Sequence, residues 1–132
     1  MKLMLDTNIC IHLIKHRPQQ LINRFERTPV GDLGISAITL AELEYGAAKS
    51  SRPERNRAAL RSFVSPLEVA AFSQAATAVY GRIRALLEKR GQIIGSMDLL
   101  IAAHAASIGV QLITNNEGEF KRVPGLRVDN WM

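Results

Sequence analysis

MKLMLDTNIC occupies residues 1–10. An apolar run, Leu3, Met4 and Leu5, halts at an acid, Asp6, and two small polar residues, Thr7 and Asn8, follow. Residues 2–5 read as a short buried strand. A carboxylate at the mouth of such a strand is either the N-cap of the next helix or the first ligand of a metal site. The choice turns on whether other acids in the chain are placed the same way.

Outward from this stretch, strands and helices alternate. Residues 7–16 carry Ile9, Ile11, Leu13 and Ile14 and suit a helix. Pro18 can open a second helix, which carries Leu21, Ile22 and Phe25 and stops near Thr28-Pro29. LGIS (33–36) reads as a strand, ITLAELEYGAAKS (38–50) as a helix, and Pro53 starts another through about Val64. LEVA (67–70) is a third strand. Ala76, Val79, Tyr80, Ile83, Leu86 and Leu87 recur at helical spacing over residues 73–90, and Gly91 ends that helix. MDLLIAAHAASI (97–108) is apolar nearly all round, so its helix should be central. VQLIT (110–114) is a strand, and LRV (126–128) a last short one. Strands separated by helices predict an α/β sandwich with a mostly parallel sheet.

Length and composition agree. A chain of 132 residues, 47% hydrophobic, suits one domain, residues 1–132, with a normal core. No apolar stretch reaches the roughly 18 residues of a membrane span, and no export signal heads the chain. Cys10 is the single cysteine and is read as packing. A cytoplasmic location is expected. Lys and Arg outnumber Asp and Glu by 17 to 12. Such a balance serves solubility or attracts a polyanion such as nucleic acid.

In a parallel sheet, ligands bind beyond the carboxyl ends of the strands. Asp6 lies at that end of the first strand. Asn115 and Asn116 lie at the same end of VQLIT, with Glu119 within one turn. Glu42 falls on the helix face of Ile38, Ala41 and Tyr45, an acid in an apolar stripe that needs a partner. Glu44, roughly 200° away at about 100° per residue, can face solvent. Asp98 begins the most apolar helix, after Gly95-Ser96. Taken singly, each acid has a plain reading as a cap, a dipole partner or a loop charge. Taken together, acids at the buried-looking edges of one small domain repel one another unless a cation holds them. Oxygen-only ligands suit Mg²⁺ or Mn²⁺ rather than Zn²⁺. In a basic protein, that suggests metal-assisted phosphodiester hydrolysis.

LDTN (5–8), ISAITLAELEYG (35–46), GSMDLLIAAHA (95–105) and TNNEGEF (114–120) together resemble the PIN-domain ribonucleases, and more narrowly the VapC-type toxins of bacterial toxin–antitoxin pairs. The resemblance extends over essentially the whole chain, including RVDNW (127–131). It implies a compact three-layer α/β/α domain, an Mg²⁺- or Mn²⁺-dependent endoribonuclease that blocks translation, a homodimer, and a cognate antitoxin whose C-terminal tail covers the active site. Operator DNA would then be met only through the antitoxin. Asp6, Glu42 and Asp98 match the family's three acids. Its fourth position is less regular. Glu119 is a candidate fourth carboxylate, and Asn116 a group for water or phosphate. Thr7, Asn8, Ser36 and Thr114 would orient the acids. Similarity to the enterobacterial-type members implies initiator tRNA, cut in the anticodon stem-loop.

Metal-free ribonucleases typically need His as acid and base. His12 and His16 lie four apart on one helix face, a spacing that could also bind metal. His104 is expected in the core or a groove. The basic clusters Arg52, Arg55, Arg57 and Arg61, and Arg82, Arg84, Lys89 and Arg90, are either solvated helix faces or guides for RNA. Tyr45, Tyr80 and Trp131 are expected to pack rather than stack on bases. Two rivals differ in what they need. A non-catalytic nucleic-acid-binding module has no use for three converging acids. A phosphatase with Asp6 as nucleophile wants a second acid two residues on, where Asn8 stands.

Overall fold

The computed structural model describes residues 1–132. In chain order it contains β1 (Leu3–Leu5), α1 (Thr7–Ile11), a π-helical turn (His12–His16), α2 (Gln19–Arg27), β2 (Leu33–Ser36), α3 (Ala37–Ala48), α4 (Pro53–Val64), β3 (Glu68–Ala70), α5 (Gln74–Lys89), α6 (Ser96–Ile108), β4 (Gln111–Ile113), α7 (Glu117–Phe120) and β5 (Val128–Asp129). The expected elements are present, with two differences. The helix expected over 7–16 changes to a π turn at His12 and ends at Arg17 in the left-handed region, φ 48°. The last strand lies at Val128–Asp129 rather than 126–128, in register with Leu112 and Ile113.

The five strands form one sheet in the order β3-β2-β1-β4-β5, and all four pairings are parallel. Parallel strands need crossovers, and the intervening helices supply them. Successive strand residues point to opposite faces, so the sheet separates two cores. Met4 and Leu112 face Ile83, Leu87, Leu99 and Ala102 of α5 and α6. Leu5, Ile35 and Ile113 face Ile9, Leu21, Leu43 and Leu60 of α1 to α4. This is the three-layer sandwich. Burying each such Leu or Ile contributes roughly 1.5–3 kcal/mol.

Two features steer the site into place. At Gly34 a Cβ would stand 2.7 Å from the Glu68 carbonyl and 2.6 Å from Met1 Sδ, so only glycine lets β2 and β3 approach here. Gly109, at φ 70°, caps α6 in the left-handed conformation and turns the chain into β4. The strand order reverses between β1 and β4. That reversal opens a crevice at their carboxyl ends, bounded by Asp6 on one side and Thr114 on the other. No helix is long and apolar enough to cross a membrane.

Candidate active site

Asp6 is buried, 2% exposed. Its Oδ1 accepts a hydrogen bond from the Ile9 N–H at 2.8 Å, capping α1. Burial pushes its carboxyl up from 3.8 to about 6. Hydrogen bonds from Thr114 and the Ile9 backbone oppose the rise, while the charges of Asp98 and Glu42 add to it. Asp6 is therefore both a helix cap and a carboxylate facing other carboxylates.

Asp98 lies in the first turn of α6, half-buried. Burial lifts it too from 3.8 to about 6, with the charges of Glu119 and Glu42 adding to the rise. Asp6 and Asp98 each sense Glu42, and Asp98 also senses Glu119. The four acids thus form one electrostatic group, drawn from the end of β1 and from α3, α6 and α7. Asp98 and Glu119 converge from two elements. A Cβ on Gly95 would stand 3.7 Å from Asp98 Oδ2 and 3.8 Å from Glu119 Oε1.

Each long acid is held by a neighbour. The Thr7 hydroxyl donates to Glu42 Oε1 at 2.6 Å and lies 3.1 Å from Thr39 Oγ1. Glu119 is gripped at both oxygens, by the Gly95 N–H at 2.8 Å and by Asn116 Nδ2 at 2.6 Å. Asn116 N–H in turn donates to Thr114 Oγ1 at 2.9 Å. The neighbouring Glu117 instead pairs with Lys121 at 3.9 Å.

Four expectations need correction. Glu42 does not sit in the buried stripe of its helix. α3 buries Thr39, Leu43 and Ala47, and Tyr45 on the Glu42 side is 66% exposed under Lys49. Tyr45 is thus a surface residue rather than a packing one. Ser36 does not orient a carboxylate. Its hydroxyl caps α3 by accepting from the Ile38 N–H at 3.0 Å and meets His104 Nδ1 at 2.7 Å. Asn8 is exposed and its side chain makes no hydrogen bond within the chain. Thr39 and Gly95 are the site residues that sequence reasoning missed. Thr39, three residues before Glu42, offered a faint signal; Gly95 offered none beyond its place beside Ser96. The His12 and His16 rings meet tilted at 51°, with centroids 5.1 Å apart. His104 is fully buried against Phe72.

As the side chains lie, no three His, Cys, Asp or Glu groups close around a point where an ion would sit. In kind, the donor set nonetheless fits a hard divalent cation. All four groups are carboxylates. None has a Lys, Arg or terminal amine within 4.0 Å. Two of them are pushed up by burial and mutual repulsion, the state a bound cation relieves.

Known proteins resemble this chain over nearly its whole length. The PIN domain family model matches residues 3–126. Ribonuclease VapC2 of Haemophilus influenzae is 47% identical over 132 residues, covering 100% of this chain and 99% of that protein. The tRNA(fMet)-specific endonuclease VapC of Shigella flexneri is 47% identical over 131 residues, 99% of this chain and 98% of its own length. Among solved structures, DNA-bound VapBC from Salmonella typhimurium superposes with a TM-score of 0.96 at 45% identity, covering 100% of this chain and 99% of that one.

Proposed function

Since the chain belongs to the PIN-domain family, among the VapC ribonucleases of toxin–antitoxin systems, we propose that it is a divalent-cation-dependent endoribonuclease that cuts initiator tRNA and so inhibits translation. One observation carries the reading: four carboxylates without a basic partner share the crevice where the parallel sheet reverses. Such a constellation has no use in a protein that only binds RNA, because it repels phosphate. The names of the Shigella and Salmonella relatives, tRNA(fMet)-specific endonucleases, support the choice of substrate.

Asp6, Glu42 and Asp98 would hold Mg²⁺ or Mn²⁺, with Glu119 as the fourth acid of the site. When bound, such a cation polarises the phosphoryl group and makes water acidic enough to attack phosphorus near neutral pH. The chain's own residues supply position. The Ile9 N–H and Thr114 fix Asp6, and Thr7 fixes Glu42. Asn116 and Gly95 fix Glu119, which in turn ties the loop before α6 and hence the root of Asp98. No histidine stands with the acids: His104 faces Ser36, and His12 and His16 face each other. In-line attack by water leaves a 5′-phosphate and a 3′-hydroxyl.

A cognate antitoxin that covers these acids completes the proposal, supported by the VapBC complexes among the structural neighbours. A homodimer and a cytoplasmic site of action belong to the same reading. The test is made in cells. Induced expression should arrest growth and yield initiator tRNA fragments. Asp98→Asn should do neither, and co-expression of a small protein encoded beside the chain should restore growth. Growth arrest that persists with Asp98→Asn would sink the proposal.

A further inference from the structure

A groove of about 290 Å³ runs between the π turn, α3 and α4. Ile11, Leu43 and Leu60 make much of it apolar, and Glu42 lies in its wall. Glu42 therefore belongs both to the groove and to the acidic crevice. Lys15, from the π turn, and Arg55, from α4, both line it. Both are exposed, and neither has a carboxylate within 4.0 Å.

Electrostatics makes that placement informative. Four carboxylates in one crevice repel a polyanion, so a nucleic-acid strand needs cations beside them to approach. Phosphate contacts of this kind set the register of the strand. A second observation concerns the floor. Gly46 lies within α3 and lines the groove. A Cβ there would meet nothing within 4 Å. Glycine weakens a helix relative to alanine, and no packing contact here requires it. What Gly46 does is keep the floor of the groove low beside Glu42.

We propose that this groove seats a nucleotide flanking the scissile phosphodiester, its phosphate between Lys15 and Arg55 and its base on the aliphatic floor over Gly46. The inference rests on the RNA-cleaving reading above and adds a binding subsite to it.

The test measures binding in EDTA, so that it does not depend on cleavage. A fluorescent RNA with the initiator tRNA anticodon stem-loop is titrated with wild type, Lys15→Glu, Arg55→Glu, Gly46→Ala and a control, Arg90→Glu at the far end of α5. Each groove charge reversal should weaken binding about tenfold and lower the salt slope by more than the control does. Gly46→Ala should weaken binding while its Tm stays level or rises, which separates a narrowed groove from a damaged fold. Equal affinities across the set would overturn the proposal. So would a loss in Arg90→Glu as large as in the groove variants, since that reports net charge alone. So would groove variants that keep RNA binding but escape the antitoxin, for then the groove serves a protein partner. Cleavage of the same RNA by wild type in Mg²⁺ is scored separately and judges only the nuclease reading.

Discussion

Asp6 carries a helix cap and a candidate cation ligand on one carboxyl group. The two roles make opposite demands on its proton. Capping the Ile9 N–H is served by an amide as well as by a carboxylate, whereas a cation needs the charge. In the fold its pKa rises from 3.8 to about 6, so the folded state disfavours the ionised form. Stability is then lost as pH climbs from about 4 through 6, by up to roughly 3 kcal/mol. The metal-free Asp6→Asn variant keeps the cap and never ionises. Its Tm should exceed wild type by several degrees at pH 7.5 in EDTA, and the gain should vanish near pH 3.5. Thermal melts at the two pH values check this; a variant less stable at pH 7.5 would contradict it. The residue was legible in the sequence because an acid at the end of an apolar strand is conspicuous. Its double duty was not, since the cap partner and the facing acids come from the folded chain.

At the scale of elements, α3 and α6 bring Glu42 and Asp98 to the crevice, and a buried bond joins them. Ser36 Oγ accepts from the Ile38 N–H, which leaves its proton for His104 Nδ1 at 2.7 Å. The ring proton of His104 then resides on Nε2, where the Ala71 backbone is the hydrogen-bond partner. Burial lowers the His104 pKa, in keeping with a neutral ring. Ser36→Ala removes a cap and strands Nδ1, a loss of roughly 2–3 kcal/mol. Urea denaturation should show that loss, and Ser36→Thr, which keeps a hydroxyl, should recover most of it. Equal stability of Ser36→Ala and wild type would show that the bond ties nothing. This contact, 68 residues apart in sequence, lies beyond any local pattern. Helical spacing likewise misassigned the face of α3. The helix is apolar on several sides, so spacing alone could not choose between Ile38, Ala41 and Tyr45 and the stripe that packing selects, Thr39, Leu43 and Ala47.

Over the whole molecule, two charge patterns oppose each other. The chain carries a net +5, yet its crevice gathers four acids with no basic partner. A divalent cation that relieves their repulsion should raise the Tm, and more so at pH 7.5 than at pH 5, because Asp6 and Asp98 must both be ionised to hold it. Melts across Mg²⁺ and Mn²⁺ titrations check this; no shift at either pH would leave the acids without a cation. The alternation of strands and helices, and hence the sandwich, was legible because each element buries a distinct apolar stretch. The sheet order β3-β2-β1-β4-β5 was not, since strand neighbours are chosen by crossovers rather than by composition. That order is what brings Asp6 and Thr114 side by side.

In the proposed reaction these acids cleave RNA with a divalent cation. Purified protein incubated with initiator tRNA in Mg²⁺ tests it most directly, beside an EDTA control and Asp6→Asn. Discrete fragments ending in 5′-phosphate and 3′-hydroxyl are expected, abolished by chelation and by the substitution. Cleavage that survives both, or that leaves 2′,3′-cyclic phosphate, would contradict it.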